Sequence, residues 1–166
     1  SPYNQMVQDN YKLDSTTLRF IGNQSLGDEV SYNYVETGLT GIADIYTAFD
    51  YKGLASVAGM SGNAIDLAKQ VQQMSNKPEP NILSLNTKLT CDITKLRDCY
   101  GYAMFPYQRS LQDNVMYFRD GALLGLSSLV AVDKKFGVVV LLSNGSQSER
   151  HNDQIKMQLY NIANEK

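Results

Sequence analysis

Residues 117–145 read YFRDGALLGLSSLVAVDKKFGVVVLLSNG, and the rest of the chain has to be accommodated around them. The run 122–132 is rich in Leu, Val and Ala, with Ser127 and Ser128 as its hydroxyls. Asp133, Lys134, Lys135, Phe136 and Gly137 follow as turn chemistry, with charge at the tip and a glycine able to take positive φ. Residues 138–142 are apolar without alternation, the pattern of a strand buried on both faces. The stretch predicts a central hairpin covered on each side.

The chain has 166 residues, enough for one domain with a real core, and we expect a single domain over 1–166. Charged residues make up 19% and the net charge is −2, so there is no electrostatic case for binding nucleic acid. No apolar run approaches the roughly 20 residues that cross a bilayer. Nothing reads as a signal peptide, and a chain opening on Ser1-Pro2 is expected to be processed or cut from something longer. Eleven tyrosines without tryptophan, among many Asn, Gln, Ser and Thr, suit an exported protein better than a cytosolic enzyme.

Taken in order, Ser1 can cap and Pro2 can begin a short helix carrying Tyr3, Met6 and Val7. Residues 21–50 are interrupted by glycines at 22, 27, 38 and 41 and read as an irregular excursion. Asn63 then heads a clear helix, with Asp66 three residues on as its reciprocal capping partner. Ala64, Leu67, Ala68, Val71 and Met74 form its apolar stripe. A weaker segment spans 82–96, and 100–106 resumes as a strand. Ser148 can cap a last helix bearing Ile155, Leu159 and Ile162 on one face. The expected architecture is α+β: three antiparallel strands, near 100–106, 117–132 and 137–143, with room for extras. The C-terminal helix lies on one face of that sheet and further helices on the other.

Chemistry-bearing residues are sparse. Cys91 and Cys99 enclose seven residues and read either as a disulfide closing a short loop or as two unrelated thiols. No metal and no cofactor is expected, because the lone His151 lies far from both cysteines in sequence. His151 itself reads as a solvated helix residue. A serine nucleophile needs a base within reach, and neither a G-x-S-x-G elbow nor S-x-x-K nor Y-x-N occurs. Ser61-Gly62-Asn63 matches S-x-N in form but reads as a helix cap.

Three stretches together carry a family resemblance. Arg119-Asp120-Gly121-Ala122-Leu123-Leu124-Gly125-Leu126-Ser127-Ser128, followed by Leu142-Ser143-Asn144-Gly145, is similar to the H-x-G-A-L-P-G-F-S-S and S-N-G words of serine β-lactamases and penicillin-binding-protein-like hydrolases. Residues 58–69, AGMSGNAIDLAK, resemble that family's A-G-G-L-x-S-T-A-x-D-L-A-K, and Leu13-Asp14-Ser15-Thr16-Thr17 resembles its G-M-x-x-T-x-F region. The matches keep their order, and the subgroup resembled holds class C β-lactamases, D-Ala-D-Ala carboxypeptidases and related esterases.

The resemblance implies the C-terminal portion of such a hydrolase, with the nucleophile absent and the chain inactive alone. Arg119 would stand at the third-motif position with Gly121, keeping positive charge but unable to shuttle a proton. Ala122 would offer an oxyanion donor, and Arg119, Asp120 and Tyr102 would line a peptidoglycan-like or other small-molecule substrate. The location implied is periplasmic or secreted, in a bacterium. The alternative is a non-catalytic binding or interaction module on the same scaffold. Either way an exposed strand edge is expected, to be met by a missing N-terminal part or by self-association.

Overall fold

The computed structural model describes residues 19–20, 34–36, 42–44, 60–85, 99–123, 126–143 and 149–165. Its elements are β1 (Arg19–Phe20), β2 (Tyr34–Glu36), β3 (Ile42–Asp44), β4 (Met60–Ser61), α1 (Ala64–Ser75), β5 (Phe105–Tyr107), β6 (Met116–Leu123), β7 (Leu126–Asp133), β8 (Gly137–Ser143) and α2 (Glu149–Asn164). The fold is α+β, built on an antiparallel sheet in the order β5-β6-β7-β8. Two small antiparallel pairs accompany it, β1 with β4 and β2 with β3. Within 21–50 the described residues are β2 and β3. The helix expected after Ser1, the segment at 13–17, residues 86–98, and Ser148 lie outside the described residues.

Local chemistry sets α1. The Asn63 side-chain oxygen accepts the Asp66 N–H at 2.8 Å, and its amide donates to the Asp66 carboxylate at 3.0 Å. One orphan donor of the first turn is thereby satisfied, and an acidic group sits at the positive end of the helix. Downstream, Asn81 folds the chain into a compact turn: its side chain donates to Lys77 O at 2.9 Å and accepts from Leu83 N at 2.9 Å.

The long apolar run does not form one strand. Residues 117–132 fold into two, β6 and β7, paired from Tyr117↔Val132 to Leu123↔Leu126. The next connection behaves as its residues dictate, with Asp133 Oδ1 accepting the Lys135 N–H at 2.7 Å and Gly137 at φ 79°. A glycine fits that left-handed position without strain.

Burial also falls elsewhere than expected. β7 is the doubly covered strand, with Leu129, Val130, Ala131 and Val132 all at 8% exposure or less. β8 is half-buried and ends the sheet, pairing with β7 alone among the described strands. Alternation along β7 separates two cores. Val130 and Val132 join Val71, Ile82 and Met104 under α1, with Leu67 and Met74 packed against them. Ala131 joins Met116 and Tyr160 under α2. The α2 face differs correspondingly: Tyr160 and Ala163 are buried, whereas Ile162 is 43% exposed.

Candidate functional site

The residues singled out by resemblance lie in mid-strand on β6. Arg119, Asp120, Gly121 and Ala122 are exposed and face Val130, Leu129, Ser128 and Ser127 in register. The Arg119 Nη1 donates to the Tyr100 hydroxyl at 3.0 Å. Its guanidinium carbon sits 5.7 Å from the Tyr100 ring centre and 5.3 Å from that of Phe105. The cation is thus held on aromatic faces, an arrangement worth about 0.5–1 kcal/mol at an exposed site. A Cβ on Gly121 would meet Ser128 Oγ at 2.8 Å.

The other sequence candidates are dispersed. Tyr102 is 59% exposed, with its N–H donating to Ser84 O at 3.1 Å. His151 is exposed on α2. Ser127 is buried at 5% exposure, and among the described residues its hydroxyl has no hydrogen-bond partner and so no base beside it. Cys99 is buried, 1% exposed, and is not a free thiol. Cys91 lies outside the described residues, so the expected Cys91–Cys99 bridge is not part of what the structure shows. Among the described residues no cluster of His, Cys, Asp and Glu could hold a metal.

Two clusters were not foreseen. The first is a clasp between the 108–114 loop and α2. Tyr160 OH donates to Asp113 Oδ2 and accepts the Arg109 N–H at 2.9 Å. Alongside, Asn164 Oδ1 accepts the Asn114 N–H at 2.7 Å. An open hollow of about 450 Å³ lies over this clasp, lined by Arg109, Asp113, Tyr160, Asn161, Asn164 and Glu165. Burial, and then the hydrogen bond and charge of Asp113, push the Tyr160 phenol above its usual value despite the opposing Arg109 amide.

The second cluster is an aromatic column on the α2 side of the sheet. Phe105 and Phe118 face each other across β5 and β6, with ring centres 5.6 Å apart. Tyr107 stands edge-on to Phe118 at 6.1 Å and to Tyr160 at 5.1 Å. Lys156, paired with Asp153 at 2.6 Å, places its ammonium 4.7 Å from the Phe118 ring centre. The period-2 placement of Phe105, Tyr107, Met116 and Phe118 was the sequence signal for this column. The clasp left none, since its partners are some fifty residues apart.

The geometry defines a sheet layered between two helices, with Tyr160, Asp113, Asn114 and Asn164 docking the 108–114 loop on α2. Two relatives are similar to the chain along nearly all of its length. Both come from Dichelobacter nodosus and are named fimbrial assembly protein FimD, of serogroups D and H1. They are 28% identical over 98% of this chain and 27% identical over 95% of it. The chain spans only about two fifths of their length, 41% and 40%. No family model matches the chain, and no solved structure matches it.

These findings overturn the hydrolase reading. The resemblance to serine β-lactamases and penicillin-binding-protein-like hydrolases gives way to similarity with proteins named for fimbrial assembly. The assignment as the C-terminal portion of a serine hydrolase falls with it. The words that carried the resemblance fall on β6 and β7, two paired apolar strands, and short apolar words of that kind are not specific to one family. A non-catalytic interaction module, the alternative, fits these relatives better.

Proposed function

We propose that this chain is a non-catalytic interaction module of a protein that helps assemble fimbriae, acting on other proteins at the bacterial envelope. The observation that carries the reading is similarity along 98% of the chain to a protein named for fimbrial assembly. Side-chain chemistry supports it: among the described residues Ser127 Oγ lacks a partner, and the Arg119 guanidinium is occupied by Tyr100 and Phe105. Among the described residues no helix is long and apolar enough to cross a membrane. A periplasmic or secreted location belongs to this proposal, as does one unit over 1–166 within a longer protein.

Deletion of the gene in the source organism, followed by counting surface fimbriae by electron microscopy, tests the reading. Loss of fimbriae, restored by a plasmid copy, is expected. Normal fimbriation in the deletion strain would overturn it.

A further inference from the structure

The two ends of the main sheet are built differently. β5 is three residues long and carries Pro106, a short edge with a residue that offers no N–H, which is how natural sheets blunt an edge. Among the described strands β8 ends the other side, with seven residues, GVVVLLS, that include neither a charge nor a proline. A long apolar edge of that composition is a template for pairing.

Register fixes which groups β8 turns outward. Leu123 and Leu126 flank a two-residue connection and so form the closing hydrogen-bonded pair of their hairpin. Alternation along β7 then directs the backbone groups of Ser127, Leu129, Ala131 and Asp133 toward β8. Their partners are Ser143, Leu141, Val139 and Gly137. The N–H and C=O groups of Val138, Val140 and Leu142 point away from the sheet. The same alternation turns Pro106 outward on β5, where its missing N–H costs no ladder bond.

We infer that β8 is the interaction edge of this chain, and that it pairs antiparallel with β8 of a second copy around a two-fold axis at Val140. The sequence is self-complementary about that centre. Val140 faces its own copy, Val138 faces the second copy's Leu142, and Val139 faces the second copy's Leu141. Each cross-strand pair is β-branched or aliphatic, and no like charges oppose. All three outward residues find reciprocal backbone partners, the isologous arrangement a two-fold contact requires. Leu142, 42% exposed in the single chain, is covered by the second copy. Lys134 and Lys135, at the far end of the β7–β8 connection, stay off the paired strands.

This inference rests on the interaction-module reading and names its surface. The test uses the complete protein that carries this chain. Light scattering during gel filtration is expected to give twice the monomer mass at high concentration. Amide exchange at Val138, Val140 and Leu142 is expected to slow as concentration rises. Leu142→Pro deletes one outward N–H per copy without touching the β7 ladder. It should weaken the dimer about tenfold or more, with the circular dichroism spectrum unchanged. Leu142→Lys, which keeps the backbone donor, should weaken it too. Leu111→Lys, at an exposed apolar residue off the edge, should leave it intact.

A monomer at all concentrations, or a dimer indifferent to both Leu142 variants, would overturn the inference. So would protection of these amides that is independent of concentration, or that appears only when a different protein is added. None of those results bears on the fimbriation assay, so the two proposals fail separately.

Discussion

The Tyr160 hydroxyl, on the buried face of α2, donates to the Asp113 carboxylate in the loop before β6. That bond joins the C-terminal helix to the strand that begins the β6–β7 hairpin, and it makes Tyr160 a structural pin.

Tyr160→Phe should therefore lower stability by about 1–2 kcal/mol, read as a shift in urea midpoint at constant slope. The pH dependence has a definite sign. Burial and Asp113 raise the folded-state value above that of an ordinary tyrosine, so the folded chain holds this proton more tightly than the unfolded one. Its contribution is fully present below about pH 10 and is lost as pH climbs through the raised value. Tyr117 is shifted the same way, by burial and then by Glu79. Urea titrations at pH 8 and pH 11 should show a loss that Tyr160→Phe makes smaller without abolishing.

Asn63→Ala removes the oxygen that caps α1 and should cost about 1 kcal/mol, while Asn63→Gly should cost only a few tenths. Equal losses in thermal melts of the two variants would show that the cap bond is not what counts.

Two glycines should respond differently. An alanine Cβ at Gly101 would sit 2.7 Å from Met104 O and 2.9 Å from Ser84 O, both backbone atoms. Such overpacking costs about 1–3 kcal/mol. At Gly121 the obstacle is the Ser128 hydroxyl, which can turn to another rotamer, so Gly121→Ala should stay within about 0.5 kcal/mol. Denaturation midpoints of both variants check this ordering.

Ser127→Ala should leave stability unchanged or raise it by about 1 kcal/mol, because it removes a buried hydroxyl that makes no hydrogen bond. A loss above about 1 kcal/mol in calorimetry would mean that the hydroxyl has a partner in solution.

What was legible beforehand was local. The pairing of Asn63 with Asp66 and the Asp133-to-Gly137 turn depend on residues two to four apart, and the side-chain types announce them. The division of 117–132 into β6 and β7 was not legible, because its connection, Leu124-Gly125, carries no Asn, Asp or Pro to mark a turn within an apolar run. The site was less legible still, since short apolar words such as those of β6 and β7 fit many folds. Only the relatives, matched along nearly the whole chain, corrected it.

By itself the sequence determined an α+β chain with a capped helix, a glycine-closed turn and an apolar strand pair, since those follow from caps, turn residues and periodicity. Tertiary structure alone decided that β7, not β8, is covered on both faces. It also decided that α2 buries Tyr160 and Ala163 while Ile162 stays exposed. The reason is physical: periodicity says which residues are apolar, but which of two apolar strands lies inside depends on pairing order. Which side of a helix turns inward depends on bonds such as Tyr160 to Asp113, formed between segments 47 residues apart.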